Sequence, residues 1–115
     1  MQKITPHLWF DTQAKEAAEF YATAFPDSKI HTVNVLHNTP SGDAHTVSMQ
    51  IMGVDFAMIS AGPYFKINPS VSFLVGCSTK EEVQAIWDKI SVGGMALMEL
   101  GAYPFSEWYG WIQDK

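Results

Sequence analysis

The sequence predicts an α+β fold made of two related halves, and three observations support this prediction. Strand-like and helix-like segments follow the order β-α-β-β-β in the first half of the chain and β-α-β-β in the second. An offset that places Lys15 on Lys80 superposes the two helical segments and also the strand before each of them. The composition, 47% hydrophobic and 17% charged over 115 residues, is typical of a single packed domain, predicted over residues 1–115.

The first half, residues 1–61, is predicted to form one complete βαβββ module. Asp11-Thr12 is a helix-start signal. Apolar residues at helical spacing predict a helix over Ala14–Phe25, which ends at Pro26 because proline cannot continue it. The β-branched and alternating segments predict four strands, Lys3–Phe10, Lys29–His37, Ala44–Met52 and Val54–Ser60.

The second half, residues 70–115, repeats this pattern but has one strand fewer. Ser78-Thr79-Lys80-Glu81 matches a capping box and predicts a helix that ends at Gly93-Gly94. The predicted strands are Val71–Gly76, Met95–Glu99 and Tyr109–Gln113, with a loop over Gly101–Trp108. The first half has three strands after its helix and the second half has two. The second module is therefore predicted to lack its last strand, which leaves a sheet edge unpaired.

The charge pattern excludes several classes of function. The formal net charge is -5, and all seven basic residues are lysines. We expect no nucleic-acid partner, because arginine supplies bidentate phosphate and guanine recognition and a basic surface is needed as well. No glycine-rich phosphate loop is present, which argues against a nucleotide cofactor. Because no apolar run is long enough to cross a bilayer and the lone Cys77 has no disulfide partner, we expect no membrane partner and a cytoplasmic location.

Several motifs, taken in order, resemble a known family. They are Ile4-Thr5-Pro6-His7-Leu8-Trp9-Phe10-Asp11, Glu16–Tyr21, Phe25-Pro26-Asp27-Ser28-Lys29-Ile30, Gly62–Phe73 and Tyr103-Pro104-Phe105-Ser106. Across essentially the whole chain they resemble the PhnB-like family, often labelled 3-demethylubiquinone-9 3-methyltransferase, of the glyoxalase/bleomycin-resistance/dioxygenase (vicinal oxygen chelate) superfamily. The resemblance implies paired βαβββ modules that curve around a ligand cleft, in a homodimer. Methyl transfer itself has no support in the residues, because no glycine-rich cofactor loop follows the first strand.

The resemblance raises the question of a metal, because enzymes of this superfamily hold one divalent ion with four ligands from the first and last strands of each module. His7 on the first strand is one candidate ligand. Its counterpart in the second half is Ser72, a poor ligand, and the fourth strand offers only Asp55 at its start. We therefore predict no metal site and no cofactor. The alternative is a divalent metal whose remaining ligands come from a partner subunit.

The predicted ligand-binding residues are His7, Trp9, Met58, Ser72 and Trp108, and no catalytic residue is predicted. His7 and Trp9 share one face of the first strand by alternation. Methionines such as Met58 suit an adaptable apolar lining. Trp108 belongs to an aromatic-rich loop, where a large ring favours a ligand or subunit contact.

Other candidates have an ordinary structural interpretation. His31, His37 and His45 could converge across the first hairpin, although histidines beside a turn are commonly solvated. Cys77 precedes a helix start, which can lower a thiol pKa. No acid or base lies beside Cys77 in the sequence, so a small half-buried apolar residue is the simpler interpretation.

The predicted function is binding of a small molecule by a homodimer of the vicinal oxygen chelate superfamily. The aromatic surplus favours the dimer, because a small monomer has little core in which to hide it. The alternative is a divalent-metal-dependent lyase, isomerase or dioxygenase with ligands completed by a partner subunit. A third option is sequestration of a bulky aromatic drug without turnover. The residues leave open whether the protein is an enzyme.

Overall fold

The computed structural model describes residues 2–39, 42–104 and 106–114, and the chain divides into two compact units. The first unit is Met1–Asn68 and the second is Pro69–Lys115. The described ranges contain six strands and two helices, which confirms the predicted α+β class. Neither of these helices has the length and apolar character needed to span a membrane.

The first unit contains the predicted βαβββ module. Its elements are β1 (His7–Phe10), α1 (Ala14–Ala24), β2 (Lys29–Thr39), β3 (Gly42–Ile51) and β4 (Val54–Ser60). The strands form one sheet in the order β1-β4-β3-β2, so the first strand lies at an edge beside the fourth. β1 runs parallel to β4, whereas β3 is antiparallel to both β4 and β2.

A two-residue turn joins β3 to β4. Met52 and Gly53 both have positive φ angles, 49° and 85°, as in the hairpin turns whose twist matches that of the flanking strands. Methionine rarely adopts this backbone conformation. The Met52 N–H donates to Ser28 Oγ at 3.0 Å, which anchors the turn to the segment between α1 and β2. The turn sets the register of β4, and β4 is the strand with which β1 pairs.

The core of the first unit lies between α1 and one face of the sheet. Because side chains alternate along a strand, every second residue of β3 and β4 points toward α1. The residues of this cluster are at most 9% exposed, and they are Ala14, Ala18, Val47, Met49, Phe56 and Met58. The small alanines allow α1 to approach the sheet closely. The sheet therefore has one face covered by α1 and an opposite face, which we call the open face.

The second unit contains α2 (Lys80–Ile90), β5 (Met95–Tyr103) and β6 (Ser106–Gln113), with β5 and β6 antiparallel. Thr79 rather than the predicted Ser78 caps α2, because the Thr79 side chain accepts the Glu82 N–H at 3.1 Å. α2 packs against β6 at Gly110, where an added Cβ would lie only 2.5 Å from the Trp87 ring.

Two predictions for the second unit are wrong. Val71–Gly76 is irregular rather than a strand, and its apolar side chains are 40–86% exposed. A strand needs a hydrogen-bonded neighbour. In the first unit the first strand, β1, pairs with the fourth strand, β4. The described part of the second unit contains no fourth strand with which Val71–Gly76 could pair.

The predicted loop over Gly101–Trp108 is also wrong. β5 continues to Tyr103 and β6 begins at Ser106, so Trp108 lies in a strand. The rings of Tyr103 and Tyr109 pack edge to face across the two strands, with centroids 5.8 Å apart. Such a cross-strand aromatic pair stabilises the hairpin within the range that was predicted to be a loop.

Candidate functional site

The open face of the first-unit sheet carries His7 and Trp9, the two predicted ligand residues on β1. The strand register places them at the ends of two rows of side chains that cross all four strands. The His7 row is His7, Ala57, Ser48 and Thr32. The Trp9 row is Trp9, Ile59, Thr46 and Asn34. The structure thus brings His7 and Trp9 together on a face that also offers hydroxyls and an amide.

Trp9 is held by two contacts. Its Nε1 donates a hydrogen bond to the carbonyl of Gly62 at 2.9 Å. The ring of Phe65 meets it edge to face, with centroids 5.1 Å apart and an interplanar angle of 88°. Because the indole N–H is already engaged, Trp9 can offer a ligand only its ring.

The His7 row supplies hydrogen-bonding groups. Thr32 Oγ1 and Ser48 Oγ lie 3.0 Å apart and share a hydrogen bond. The His7 side chain is exposed, and no described residue hydrogen-bonds to its imidazole. A ligand on this face would therefore meet an available imidazole beside an aromatic ring, an arrangement suited to a molecule with both polar and apolar parts.

The surroundings of His7 do not fit a metal site. A metal would require further nitrogen, sulfur or oxygen ligands close to the imidazole. The neighbour of His7 on β4 is Ala57, which has no donor atom in its side chain. Within the part of the chain that the structure describes, no group of three or more His, Cys, Asp or Glu residues could hold an ion.

Met58, predicted to line a ligand cleft, lies instead in the core. Its side chain is 1% exposed and packs under α1, on the face opposite Trp9. This placement gives Met58 a packing role, because β4 turns it away from the open face. The alternation of residues along β4 was visible in the sequence, but which face the helix covers was not.

Ser72 and Trp108 belong to the second unit. Ser72 lies in the irregular, exposed segment before α2. Trp108 lies in β6, and Lys80 Nζ is 5.6 Å from the centre of its ring, within range of a cation–π interaction. The Trp108 Nε1 is buried and has no hydrogen-bond partner among the described residues.

The start of α2 does not lower the pKa of the Cys77 thiol. Burial raises the pKa of the Cys77 thiol, and the charge and hydrogen bond of Glu82 raise it further. Any favourable effect of the α2 start is outweighed, because a nearby carboxylate disfavours the thiolate. At a given pH, less of this thiol is therefore in the reactive thiolate form than in a free cysteine.

The three histidines near the first hairpin have separate environments. His37 Nδ1 lies 3.1 Å from Asp43 Oδ2, and both side chains are largely exposed. His45 lines a pocket at the start of α1 that sequence reasoning missed, together with Asp11, Thr12, Asp43, Ser60 and Gly62. In the sequence, Asp11-Thr12 indicates only the start of a helix. The other residues that line the pocket come close to it only when the chain folds.

Comparisons with known proteins agree with this architecture. The family profile described as 3-demethylubiquinone-9 3-methyltransferase matches residues 2–115. The structure is similar to a putative 3-demethylubiquinone-9 3-methyltransferase, PhnB protein, from Bacillus cereus, with a TM-score of 0.88 and 34% identity over 99% of this chain and 92% of that chain. It shares the fold of the protein PA1353 from Pseudomonas aeruginosa, with a TM-score of 0.69 and 17% identity over 100% of this chain and 91% of that one. A search of curated proteins finds no match.

The six strands and two helices of the described residues form an α+β arrangement that is consistent with a glyoxalase-like fold lacking a last strand. Both the profile and the Bacillus cereus structure cover nearly the whole chain. The chain belongs to the PhnB-like family described as 3-demethylubiquinone-9 3-methyltransferase. The resemblance inferred from the sequence motifs is thereby confirmed.

Proposed function

We propose that the protein binds a small organic molecule on the open face of the first-unit sheet. The observation that carries this proposal is the side-by-side placement of the exposed His7 imidazole and the fixed Trp9 ring. The imidazole and the row of hydroxyls would hydrogen-bond a polar group of the ligand. The Trp9 ring would pack against its apolar part.

The contacts of Trp9 favour this function over a purely solvated sheet face. The Gly62 carbonyl and the Phe65 ring fix the indole before any ligand arrives. A ring that is already ordered loses little conformational entropy on binding, which strengthens an apolar contact. The competing interpretation is that Trp9 only packs against Phe65 and that this face has no ligand-binding role. In that case a substitution at His7 leaves the affinity for any added ligand unchanged.

We also propose that the protein acts as a homodimer in the cytoplasm. Large apolar side chains remain at least half exposed, among them Phe65, Phe73 and Leu74 at 66%, 50% and 86%. Exposed apolar groups of this kind favour association with another chain. The single cysteine suits a reducing compartment. Whether the bound molecule is transformed is left open.

Fluorescence titration with naphthalene-2-carboxylate, an aromatic ring with one polar group, tests the binding proposal. We expect saturable quenching of tryptophan fluorescence by the wild-type chain. His7→Ala should weaken the affinity about tenfold, the effect of losing one hydrogen bond to a charged group. His31→Ala is the matched control, because His31 is exposed on β2 outside both rows. Equal affinities for the wild type and His7→Ala would contradict the proposal.

The metal-dependent alternative has its own signature. Metal analysis of the purified protein would show stoichiometric Zn²⁺, Ni²⁺ or Fe²⁺ that is lost in His7→Ala. That result would support a lyase, isomerase or dioxygenase whose remaining ligands come from a partner subunit. On the donor set around His7 we expect no such stoichiometric metal.

A further inference from the structure

Phe65 meets Trp9 at the β1 edge of the open face, from a segment that follows β4. This segment, from Gly62 to Asn68, forms neither a helix nor a strand. Its start is fixed, because the Gly62 N–H donates to the Asp11 carbonyl at 3.2 Å and the Gly62 carbonyl accepts the Trp9 indole proton at 2.9 Å. Gly62 has a φ angle of 100°, which glycine adopts without strain. These bonds hold the backbone that leads to Phe65 close to β1.

The ring of Phe65 remains largely open to solvent. It is 66% exposed although it contacts the Trp9 ring. The two ring planes are nearly perpendicular, at 88°, with centroids 5.1 Å apart. In a perpendicular pair the ring that stands edge-on keeps both of its faces free, whereas a stacked pair covers one face of each ring. The two rings therefore form the walls of a corner that offers aromatic surface to a ligand.

A corner of two perpendicular rings suits a flat aromatic group. Such a group can stack, offset, on one ring and meet the other edge to face, the two arrangements that the ring quadrupoles favour. A saturated ring system of similar outline gains only buried apolar area. The His7 and Trp9 rows contain no aspartate or glutamate, so they do not repel a ligand that carries a carboxylate.

We propose that Phe65 contacts the ligand directly and makes the open face selective for flat aromatic molecules. This inference rests on the proposed function, because it concerns the same face. A ligand ring in the corner would cover apolar surface of Phe65 that is otherwise in water, which favours binding. The competing interpretation is that Phe65 only shields Trp9. In that case removal of the Phe65 ring weakens the binding of aromatic and saturated ligands alike.

The test compares naphthalene-2-carboxylate with decahydronaphthalene-2-carboxylate, its saturated analogue, by isothermal titration calorimetry. In Phe65→Leu the preference for the aromatic acid, measured as the ratio of the two dissociation constants, should fall about fivefold, the effect of one edge-to-face contact. Phe65→Tyr keeps the ring and should keep the preference. Tyr64→Leu is the matched control, because Tyr64 is 65% exposed in the same segment and packs against no described aromatic ring.

Three results would contradict the role of Phe65, and they can be told apart. Binding that depends on His7, with the same preference in the wild type and in Phe65→Leu, would remove the selectivity and leave the proposed function intact. An equal loss of affinity for both acids in Phe65→Leu would assign Phe65 to shielding Trp9. Binding of neither acid by the wild-type chain would contradict the proposed function, and this inference with it.

Because Phe65 is largely exposed, Phe65→Leu should fold, and its circular dichroism spectrum should match that of the wild type. Phe65→Ile is a second variant without the ring and should lose the preference to the same extent.

Discussion

The two units begin from the same order of segments, yet only the first forms a complete module. In the first unit β1 pairs in parallel with β4, and the four-stranded sheet is continuous. In the second unit Val71–Gly76 stays irregular beside a two-stranded sheet. The comparison shows that the first strand of a module depends on the last one, because the sheet order makes them neighbours.

The two units also differ at the start of their helices. The α1 cap residue, Gln13, makes no side-chain cap, and the N-terminal amide of α1 is instead bonded by Ser60 from β4. α2 is capped locally by Thr79. The start of α1 is therefore held by the sheet and lies beside a pocket, whereas the start of α2 is held by its own sequence.

The core of the first unit should give the largest effect on stability. Met58→Ala should lower the free energy of unfolding by about 2–5 kcal/mol, because it leaves a cavity between α1 and the sheet. Urea denaturation followed by circular dichroism measures the change. Met95→Ala in the second unit is the control, since Met95 is 58% exposed and should cost under about 0.5 kcal/mol. A similar, small loss in both variants would show that β4 does not hold the first unit together.

Removing the two helix caps should lower the free energy of unfolding by less than the core substitution does, and by different amounts. Ser60→Ala should cost about 1–3 kcal/mol, because it leaves the buried Ala14 N–H without an acceptor. Thr79→Ala should cost about 1 kcal/mol, the usual loss for an exposed N-cap. Urea denaturation of both variants, with Ser48→Ala on the open face as a control, measures the difference. A larger loss for Thr79→Ala than for Ser60→Ala would reverse the proposed dependence of α1 on the sheet.

The sequence allowed prediction of features that depend on local patterns. A helix over Ala14–Phe25 could be predicted because its apolar spacing lies within the segment and Pro26 follows it directly, and the observed helix is Ala14–Ala24. Val71–Gly76 has an equally strong strand pattern. It forms no strand, because a strand also needs a neighbouring strand from elsewhere in the chain, and the local sequence does not show whether one is present. The placement of His7 beside Trp9 followed from alternation along one strand.

The pocket at α1 could not be predicted, for a related reason. Its lining residues range from Asp11 to Gly62 and meet only after β3 and β4 have paired. The sequence analysis predicts a loop over Gly101–Trp108, whereas the packing of Tyr103 on Tyr109 that accompanies the strands there becomes visible only in the folded hairpin. Features that combine distant residues thus require the folded structure.

The smallest expected effect concerns the thiol that precedes α2. Burial and Glu82 raise the pKa of Cys77, so the folded chain holds the thiol proton to higher pH than the unfolded chain. This contribution to stability is complete below the pKa of the unfolded thiol and is lost as the pH rises through the higher, folded value. We therefore expect iodoacetamide to alkylate Cys77 more slowly than a free cysteine peptide at mildly alkaline pH, measured by mass spectrometry. Glu82→Gln should speed the reaction, because it removes the charge that opposes the thiolate, whereas Glu81→Gln should have less effect. Alkylation as fast as in the peptide would instead indicate that the start of α2 activates the thiol.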